Sequence, residues 1–389
     1  MSKNIEKSLL ITLGALAAFG PMTIDLYLPA FVEIGKDLLV ATEDIQYSLT
    51  SFLAGLSIGQ LIYGPISDRF GRKKPLLFGI IIFIITSVLI SFAQNLETLI
   101  GLRFIQALGS CVGMVITRAI IRDMFEPREA AKVFSLVILI MGVAPVIAPV
   151  LGTQILLLFN WRMIFIFLAL FGCLTLVGSI FKVPETLKNS VPLKKGFVNY
   201  FHLLKDRQFI IAALVSGTIT AGMFSYIAGS AFVFLNIFKV STGTYPIIFG
   251  ANAFGFIVCS QVNARLLNTY SIDAILEKAS IFALFAALCT FLSVTFHLSL
   301  PFFLVPLFCS IGSIGFIIPN ITAKALEFQH ERAAVASAMM GSIQFCVSSL
   351  GSVLVTVFAN GTAWPLVTTL LVFNSLTFLL YFFGIKSEG

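Results

Sequence analysis

Asp25 is the first candidate for chemistry, because it is the one acidic residue in the interior of a long apolar segment. The chain has 18 Asp and Glu residues, and the other 17 fall in connecting segments, tails or the ends of apolar segments. A carboxylate in hydrocarbon is costly, so we expect Asp25 to face a cavity and to bind and release a proton. Arg103 lies in another apolar segment. We place both about 7–8 Å below the same membrane surface, five residues from their segment ends, where they could share a pocket.

Two interpretations of this pair remain open. In the first, Asp25 carries a proton whose binding competes with a substrate, and Arg103 tunes that protonation and holds substrate or water. In the second, the two residues form a purely structural ion pair.

A second group of charges follows the second apolar segment, in the stretch GPISDRFGRKK (64–74). The candidate gate residues in this stretch are two glycines, one aspartate and two arginines, namely Gly64, Asp68, Arg69, Gly71 and Arg72. Glycine permits a tight turn between closely packed helices, and Asp68 could lie near a helix N-terminus. Arg72 could pair with Asp68 and with Asp123, closing one face of the protein in one conformation. The alternative is a solvated basic loop that only sets topology.

The amino-acid composition indicates that these charged residues belong to a membrane protein. Hydrophobic residues make up 58% of the 389 residues, charged residues only 11%, and the mean hydropathy is +1.01. Soluble domains carry about 25% charged residues. This composition excludes a soluble enzyme, a nucleic-acid-binding module and a disordered protein. The six cysteines stand singly without metal-binding spacing, and we interpret them as small core hydrophobes.

Twelve apolar segments are long enough to cross a bilayer as helices. The predicted spans are residues 8–30, 45–65, 75–93, 98–121, 131–156, 162–182, 208–234, 244–266, 275–296, 300–322, 332–357 and 363–384. The first has no convincing cleavage site, so we predict an uncleaved span. Lysine and arginine concentrate in the loops on one side, while the opposite loops hold only Lys36, Arg162 and Lys239. The positive-inside rule therefore places both termini in the cytoplasm and accounts for the net charge of +7 without nucleic acid.

The longest connection, residues 183–207, predicts two halves of six helices, 1–182 and 208–389, joined by a cytoplasmic linker. An offset of 200 residues aligns 52–70 with 252–270 and matches Gly55 to Gly255, which weakly supports a duplication. Duplicated halves with a site at their interface are typical of transporters.

The fifth span contains glycine and proline at regular intervals, as Gly142, Pro145, Pro149 and Gly152. Prolines four residues apart disrupt the helix hydrogen bonds, and glycines permit close approach of other helices. A merely kinked helix is the alternative.

The stretch 64–74 resembles the G-x-x-x-D-R-x-G-R loop of the major facilitator superfamily, and the fifth span resembles the antiporter signature of its drug exporters. Four other stretches resemble the Bcr/CflA family of bacterial multidrug exporters, namely DLYLPA (25–30), RFIQALG (103–109), RAIIRD (118–123) and ASAMMGSIQF (336–345). The resemblance implies an all-α polytopic membrane protein of twelve helices around a central cavity. It also implies proton-driven export of varied antibiotics such as bicyclomycin, sulfonamides and chloramphenicol relatives. The loop after span eight lacks the aspartate and the basic residues of the stretch 64–74, so a gate in the second half cannot be inferred from the one in the first half.

The rest of the cavity is predicted from polar, soft or aromatic residues in the middle of spans. These candidates are Met22, Tyr27, Gln106, Met114, Tyr226, Asn252, Phe256 and Gln344. Helix packing is the alternative role for each of them.

The expected partners are a small-molecule substrate, protons and the lipid bilayer of a bacterial inner membrane. We expect a monomer with no cofactor, driven by the proton gradient. The alternatives left open are an exporter of one endogenous metabolite, such as a siderophore or amino-acid derivative, a proton symporter, a membrane-embedded enzyme and a non-transporting scaffold. The sequence shows neither a catalytic cluster within a span nor a Walker loop, which argues against the enzyme and against an ATP-driven pump.

Overall fold

Apolar segments of this length fold as helices, because backbone polar groups in lipid must be bonded within the segment itself. The computed structural model describes residues 7–125, 127–187, 190, 192–241, 243–326 and 333–385, and no strand occurs among them. In chain order, the helices are α1 Lys7–Ala17, α2 Phe19–Asp25, α3 Phe31–Leu38, α4 Gln46–Phe70, α5 Lys73–Ile90, α6 Leu96–Met124, α7 Pro127–Leu158, α8 Arg162–Lys182, α9 Leu193–Leu204, α10 Arg207–Phe232, α11 Tyr245–Leu266, α12 Ile272–Thr295, α13 Leu300–Leu326, α14 Ala333–Val357 and α15 Trp364–Leu380.

Ten of the described helices are long and apolar enough to cross a membrane, and the bent pair of Lys7–Ala17 with Phe19–Leu38 makes an eleventh if it counts as one span. The predicted fifth span corresponds to α7, a helix of 32 residues. The predicted all-α polytopic membrane fold is therefore confirmed.

The first span differs from its predicted form. It bends by 46° between Ala17 and Phe19, and it continues through a short 3₁₀ turn, Leu28–Ala30, into α3. Pro29 lies at the start of that turn, where a missing N–H costs nothing, so the proline does not end the helical path. The path ends instead at Leu39, whose φ is 56°.

Close helix contacts hold the first span against its neighbours. An added Cβ at Gly113 of α6 would lie 2.2 Å from the carbonyl oxygen of Leu16 in α1. Only glycine allows this approach, which fixes the depth of α1 relative to α6.

Glu185 and Thr186, which follow α8, contact the α4–α5 turn and the end of α6, and this side of the protein is called here the Asp68 face. The start of α4 lies on the other side, called here the Gln46 face. The parts of the chain before and after residues 183–207 meet mainly where α4 packs on α14 and α7 packs on α11. The division into two halves stays a prediction.

Candidate functional site

Asp25 is the only acidic residue that is buried in the described part of the chain, with 4% of its surface exposed. It is the last residue of α2, and its charge interacts with the hydroxyl groups of Tyr226 in α10 and Tyr245 in α11. Asp25 therefore lies within electrostatic range of two tyrosines on helices that follow the linker.

Arg103 is fully buried in the first part of the chain. Its Nη1 donates to Oε1 of Gln106 at 2.6 Å, and its Nη2 donates to the Thr23 carbonyl at 3.3 Å. The guanidinium lies 4.4 Å from the ring centre of Tyr27 and 4.2 Å from that of Phe52, within cation–π range. Arg103 is thus held by rings, an amide and a carbonyl.

Asp25 and Arg103 form no ion pair among the described residues, so the second interpretation, a purely structural ion pair, is wrong, whereas their shared part in proton coupling stays a prediction. Arg103 contacts Thr23 and Tyr27, which are each two positions from Asp25. The depth estimate also changes, because the helical path continues for 13 residues beyond Asp25, about 20 Å, to Leu38.

The predicted charge cluster on the Asp68 face forms as expected from the stretch 64–74. Arg72 pairs with Asp68, and its Nε donates to Oδ2 of Asp123 at 2.9 Å. The Arg72 side chain is 3% exposed, and its Nη1 also donates to Oγ of Ser67 at 3.0 Å. Burial opposes the charged form, but the hydrogen bonds and charges of Asp68 and Asp123 outweigh it and hold the pKa of Arg72 above its ordinary value. Arg72 therefore stays charged and ties the ends of α4, α5 and α6 together.

Glu185 completes this cluster, although it was not among the predicted residues. Its Oε1 accepts from the backbone N–H of Arg72 at 2.9 Å, and its Oε2 from that of Lys73 at 3.1 Å. The carboxylate thus caps the N-terminus of α5, the place where Asp68 had been a candidate. Partial burial favours the neutral acid, yet the N–H donors of Arg72, Leu187 and Lys73 outweigh it and hold the pKa of Glu185 below its ordinary value. The available signal was an acid directly after a span, in VPET (183–186).

Gly71 and Arg69 also take part in the turn, in different ways. Gly71 has φ 92° and ψ 167°, a backbone conformation that only glycine adopts readily. A Cβ there would lie 2.4 Å from Oε2 of Glu185. Arg69 lies in the last turn of α4, and Gly64 lies under the hydroxyl of Tyr200, where a Cβ would come within 3.1 Å.

The glycine and proline residues of the fifth span bring α7 against the Asp25 segment. A Cβ at Gly152 would lie 2.0 Å from the carbonyl oxygen of Leu26, the residue next to Asp25. Pro145 and Pro149 both lie inside α7, and the Thr153 hydroxyl donates to the Pro149 carbonyl at 2.9 Å. Gly142 lies in the same helix. α7 therefore packs directly against the residue next to Asp25.

A family model described as Major Facilitator Superfamily matches residues 11–356. The chain belongs to the major facilitator superfamily.

Relatives of known name extend over nearly the whole of this major facilitator chain. An MFS-type transporter of Bacillus subtilis, YdgK, is 37% identical over 98% of this chain and 96% of its own. The bicyclomycin resistance protein homolog of Haemophilus influenzae is 30% identical over 99% of this chain and all of its own. The multidrug resistance protein MdtL of Escherichia coli is 30% identical over 95% of this chain and 94% of its own. The resemblance to the Bcr/CflA family is therefore confirmed.

Solved transporter structures share the fold of this chain at low sequence identity. An inward-facing, unoccupied bacterial homolog of the human lysosomal transporter Spinster covers 99% of this chain and 99% of its own, with a TM-score of 0.76 and 16% identity. A D-xylose–proton symporter covers 98% of this chain and 97% of its own, with a TM-score of 0.74 and 14% identity. The family match, the curated relatives and the long apolar helices together make the chain a multi-pass membrane transporter.

Four of the eight predicted cavity residues fall in two environments. Two of them serve Arg103, since Tyr27 stacks on its guanidinium and Gln106 accepts its hydrogen bond and donates to Ser87 at 2.7 Å. Tyr226 and Asn252 lie together near Asp25, with a hydrogen bond from Asn252 Nδ2 to the Tyr226 hydroxyl at 3.3 Å. The structure therefore gives Tyr27 and Gln106 a bonded role around Arg103.

The other four candidates lie on four different helices, α2, α6, α11 and α14. Met22 and Met114 are each 9% exposed, Phe256 is half-buried, and Gln344 donates to the Thr220 hydroxyl at 2.9 Å. Their contact with a substrate stays a prediction.

Proposed function

We propose that this transporter exports small, chemically varied antibiotics and other toxic compounds across a bacterial inner membrane, in exchange for protons, by alternating access. The observation that carries the proposal is the position of Asp25, the one buried acid among the described residues, next to the residue on which the antiporter-type helix α7 packs. The names of the relatives, one for bicyclomycin resistance and one for multidrug resistance, support the export of drugs.

Asp25 is the proposed proton carrier. A buried carboxylate without an ion-pair partner is stable when protonated and costly when charged, so proton loss must be linked to another change at the site. Substrate arrival beside Asp25 supplies that change. Arg103 acts on Asp25 through the backbone, because its hydrogen bond to the Thr23 carbonyl and its stacking on Tyr27 fix the segment that carries the acid.

The Arg72 cluster is the proposed gate on the cytoplasmic face. Excess lysine and arginine on the Asp68 face favours that face as cytoplasmic, with both termini there. Closing the gate brings Asp68, Arg72 and Asp123 together with Glu185, and opening it separates at least one of these contacts. The proton gradient is the proposed energy source, without a cofactor, and the monomer is the proposed working unit.

Drug-induced proton movement in everted vesicles tests the proposal. Vesicles from a pump-deficient host are acidified inside by respiration and followed with a pH-sensitive dye. Chloramphenicol or tetraphenylphosphonium is then added. We expect either drug to release protons from vesicles with wild-type protein, and Asp25→Asn to abolish the response. Glu97→Gln, an exposed acid in the first turn of α6, is the matched control and should behave as wild type.

Three results would contradict parts of the proposal. Drug uptake with intact proton coupling in Asp25→Asn would remove Asp25 as the carrier. Proton movement in the opposite direction would indicate symport. A resistance panel that is flat for every drug, combined with export of one metabolite, would indicate an endogenous substrate.

A further inference from the structure

A row of polar side chains joins the two parts of the chain along α4 and α14, and we call it the α4–α14 seam. It consists of Gln46, Thr50, Ser57 and Gln60 on α4 and of Gly341, Ser342, Ser352 and Thr356 on α14. Three hydrogen bonds of 2.8–2.9 Å cross it, from Thr356 to Gln46, from Thr50 to Ser352 and from Ser57 to the Ser342 carbonyl. Its four α4 residues lie at intervals of four, seven and three, so they share one helix face.

Gln60 is the exception in this seam. It is 2% exposed, yet its amide nitrogen Nε2 is buried without a hydrogen-bond partner among the described residues. Its Oε1 lies directly over Gly341, where an added Cβ would come within 2.0 Å. A buried amide N–H without an acceptor carries an uncompensated desolvation free energy. A ligand that supplies an acceptor to Nε2 would therefore stabilise this conformation.

Gln46 shows that the seam can satisfy a glutamine. It belongs to the same helix and the same seam, is also 2% exposed, and accepts a hydrogen bond from Thr356 at 2.9 Å. If Gln60 were purely structural, a residue with a hydroxyl opposite it could bond its side chain in the same way. The sequence places a glycine there instead, which provides space and no partner.

The location of Gln60 connects it to transport. It lies near the middle of α4, one turn from Ser57 and one turn from Gly64, and so well inside the membrane. Alternating access requires the seam to open toward each side in turn, so that the Gln60 amide meets whatever occupies the passage. This step rests on the export function proposed above.

We propose that Gln60 is a specificity-determining residue, whose amide N–H donates a hydrogen bond to an acceptor oxygen of the substrate. Neutral compounds with a carbonyl or sulfonyl oxygen are the substrate class that this donor recognises. Gly341 is the positioning residue, because its missing side chain keeps the amide in place and leaves room beside it. Lipophilic cations without an acceptor pass the same seam without using Gln60.

Transport kinetics in everted vesicles test this proposal with two kinds of probe. Chloramphenicol and sulfathiazole carry acceptor oxygens, whereas tetraphenylphosphonium and ethidium carry none. In Gln60→Leu we expect the KM for the acceptor-bearing probes to rise about tenfold, the value of one hydrogen bond to a buried partner. The KM for the two cations should stay within about twofold. Gln46→Leu, the matched control, should shift both kinds of probe alike.

Gly341→Ala supplies a second, independent variant. Its Cβ would displace the Gln60 amide, so it should reproduce the selective loss for acceptor-bearing probes. The double variant Gln60→Leu, Gly341→Ala should lose no more than Gln60→Leu alone, because both changes remove the same interaction. Purified yield and gel-filtration profile, together with cation transport, show that each variant folds.

The outcomes separate this proposal from the export function. An equal loss for both kinds of probe, or no loss for either, overturns the role of Gln60 and leaves export standing. Export of the cations alone by the wild type also overturns it. If wild-type vesicles export none of the four probes, the proposed function fails as well.

Discussion

The turn after α4 and the corresponding turn after α11 connect their helices by different chemistry. In the first, a buried arginine binds Asp68 and Asp123, and the Glu185 carboxylate caps the next helix. In the second, the contact between helices is a neutral amide pair, with Asn320 Nδ2 donating to Asn263 Oδ1 at 2.7 Å. Its ion pair, Lys324 with Asp273, is exposed, as 60% of the aspartate side chain is open to solvent.

This difference assigns different tasks to the two turns. A buried charge network is costly to leave half-broken, so it favours two distinct states, fully closed or fully solvated. A neutral amide pair can separate or shift at a lower cost. We therefore expect the first turn to act as a switch and the second to act as a fixed support.

Arg72→Gln should have the largest effect on this comparison. Glutamine keeps some hydrogen bonding but leaves Asp68 and Asp123 without their shared cation, at a cost of about 2 kcal/mol in the closed state after allowance for their partial exposure. We expect at least a tenfold fall in the export rate and a lower thermal unfolding temperature in detergent. Arg69→Gln, at the neighbouring basic residue, is the control. Equal effects of the two substitutions would show that the turn only supplies positive charge.

Gly71→Ala should have the second-largest effect on stability. The alanine must adopt φ 92°, at a cost of about 1–3 kcal/mol, and its Cβ would also displace the Glu185 carboxylate. Gly361→Ala is a matched control, because Gly361 has φ 74° but nothing within 4 Å of its added Cβ. We expect the unfolding temperature to fall more for Gly71→Ala. Equal shifts would mean that the contact with Glu185 contributes nothing.

Acid titration separates the contribution of the Glu185 carboxylate, which caps α5, from the backbone strain at Gly71. Because the pKa of Glu185 is held below its ordinary 4.5, its contribution to stability is complete above that pH and is lost as the pH falls through the folded-state value. Glu185→Gln should therefore lower the unfolding temperature at pH 7 and remove part of its decline below pH 4.5. An unchanged acid profile in this variant would contradict the cap.

Asn320→Leu tests the second turn and should cost about 1–2 kcal/mol, because it leaves the buried Oδ1 of Asn263 unpaired. The double variant Asn263→Leu, Asn320→Leu should recover most of that stability, since no polar atom of the pair is then left over. We expect the export rate to follow stability in this series. A loss of export without a loss of stability would make the second turn a switch as well.

Lys324→Met should have the smallest effect, less than about 1 kcal/mol, because exposed ion pairs contribute little. Thermal unfolding at low and high salt provides the measurement. A large, salt-sensitive loss would show that the two turns are more alike than their burial suggests.

Much of the fold follows from local sequence. Every predicted span corresponds to helix in the structure, because an apolar run of about 20 residues in lipid has no other way to bond its backbone. The Arg72 cluster was also predictable, since Asp68 and Arg72 are four residues apart on adjoining helix ends. Glu185 was not, because its carboxylate reaches α5 from a segment more than 110 positions later in the chain.

The sequence by itself determined that the chain is a membrane protein, that Asp25 is its lone interior acid, and which family it resembles. Those features depend on composition and short motifs. The tertiary structure alone decided which way Asp25 and Arg103 point, because a helix turns about 100° per residue and a small error in its start or end redirects every side chain. It also decided that Gln46 accepts a hydrogen bond, whereas Nε2 of Gln60 has no partner within the described part of the chain. Both are glutamines in the same apolar helix, and only the residues across the interface distinguish them.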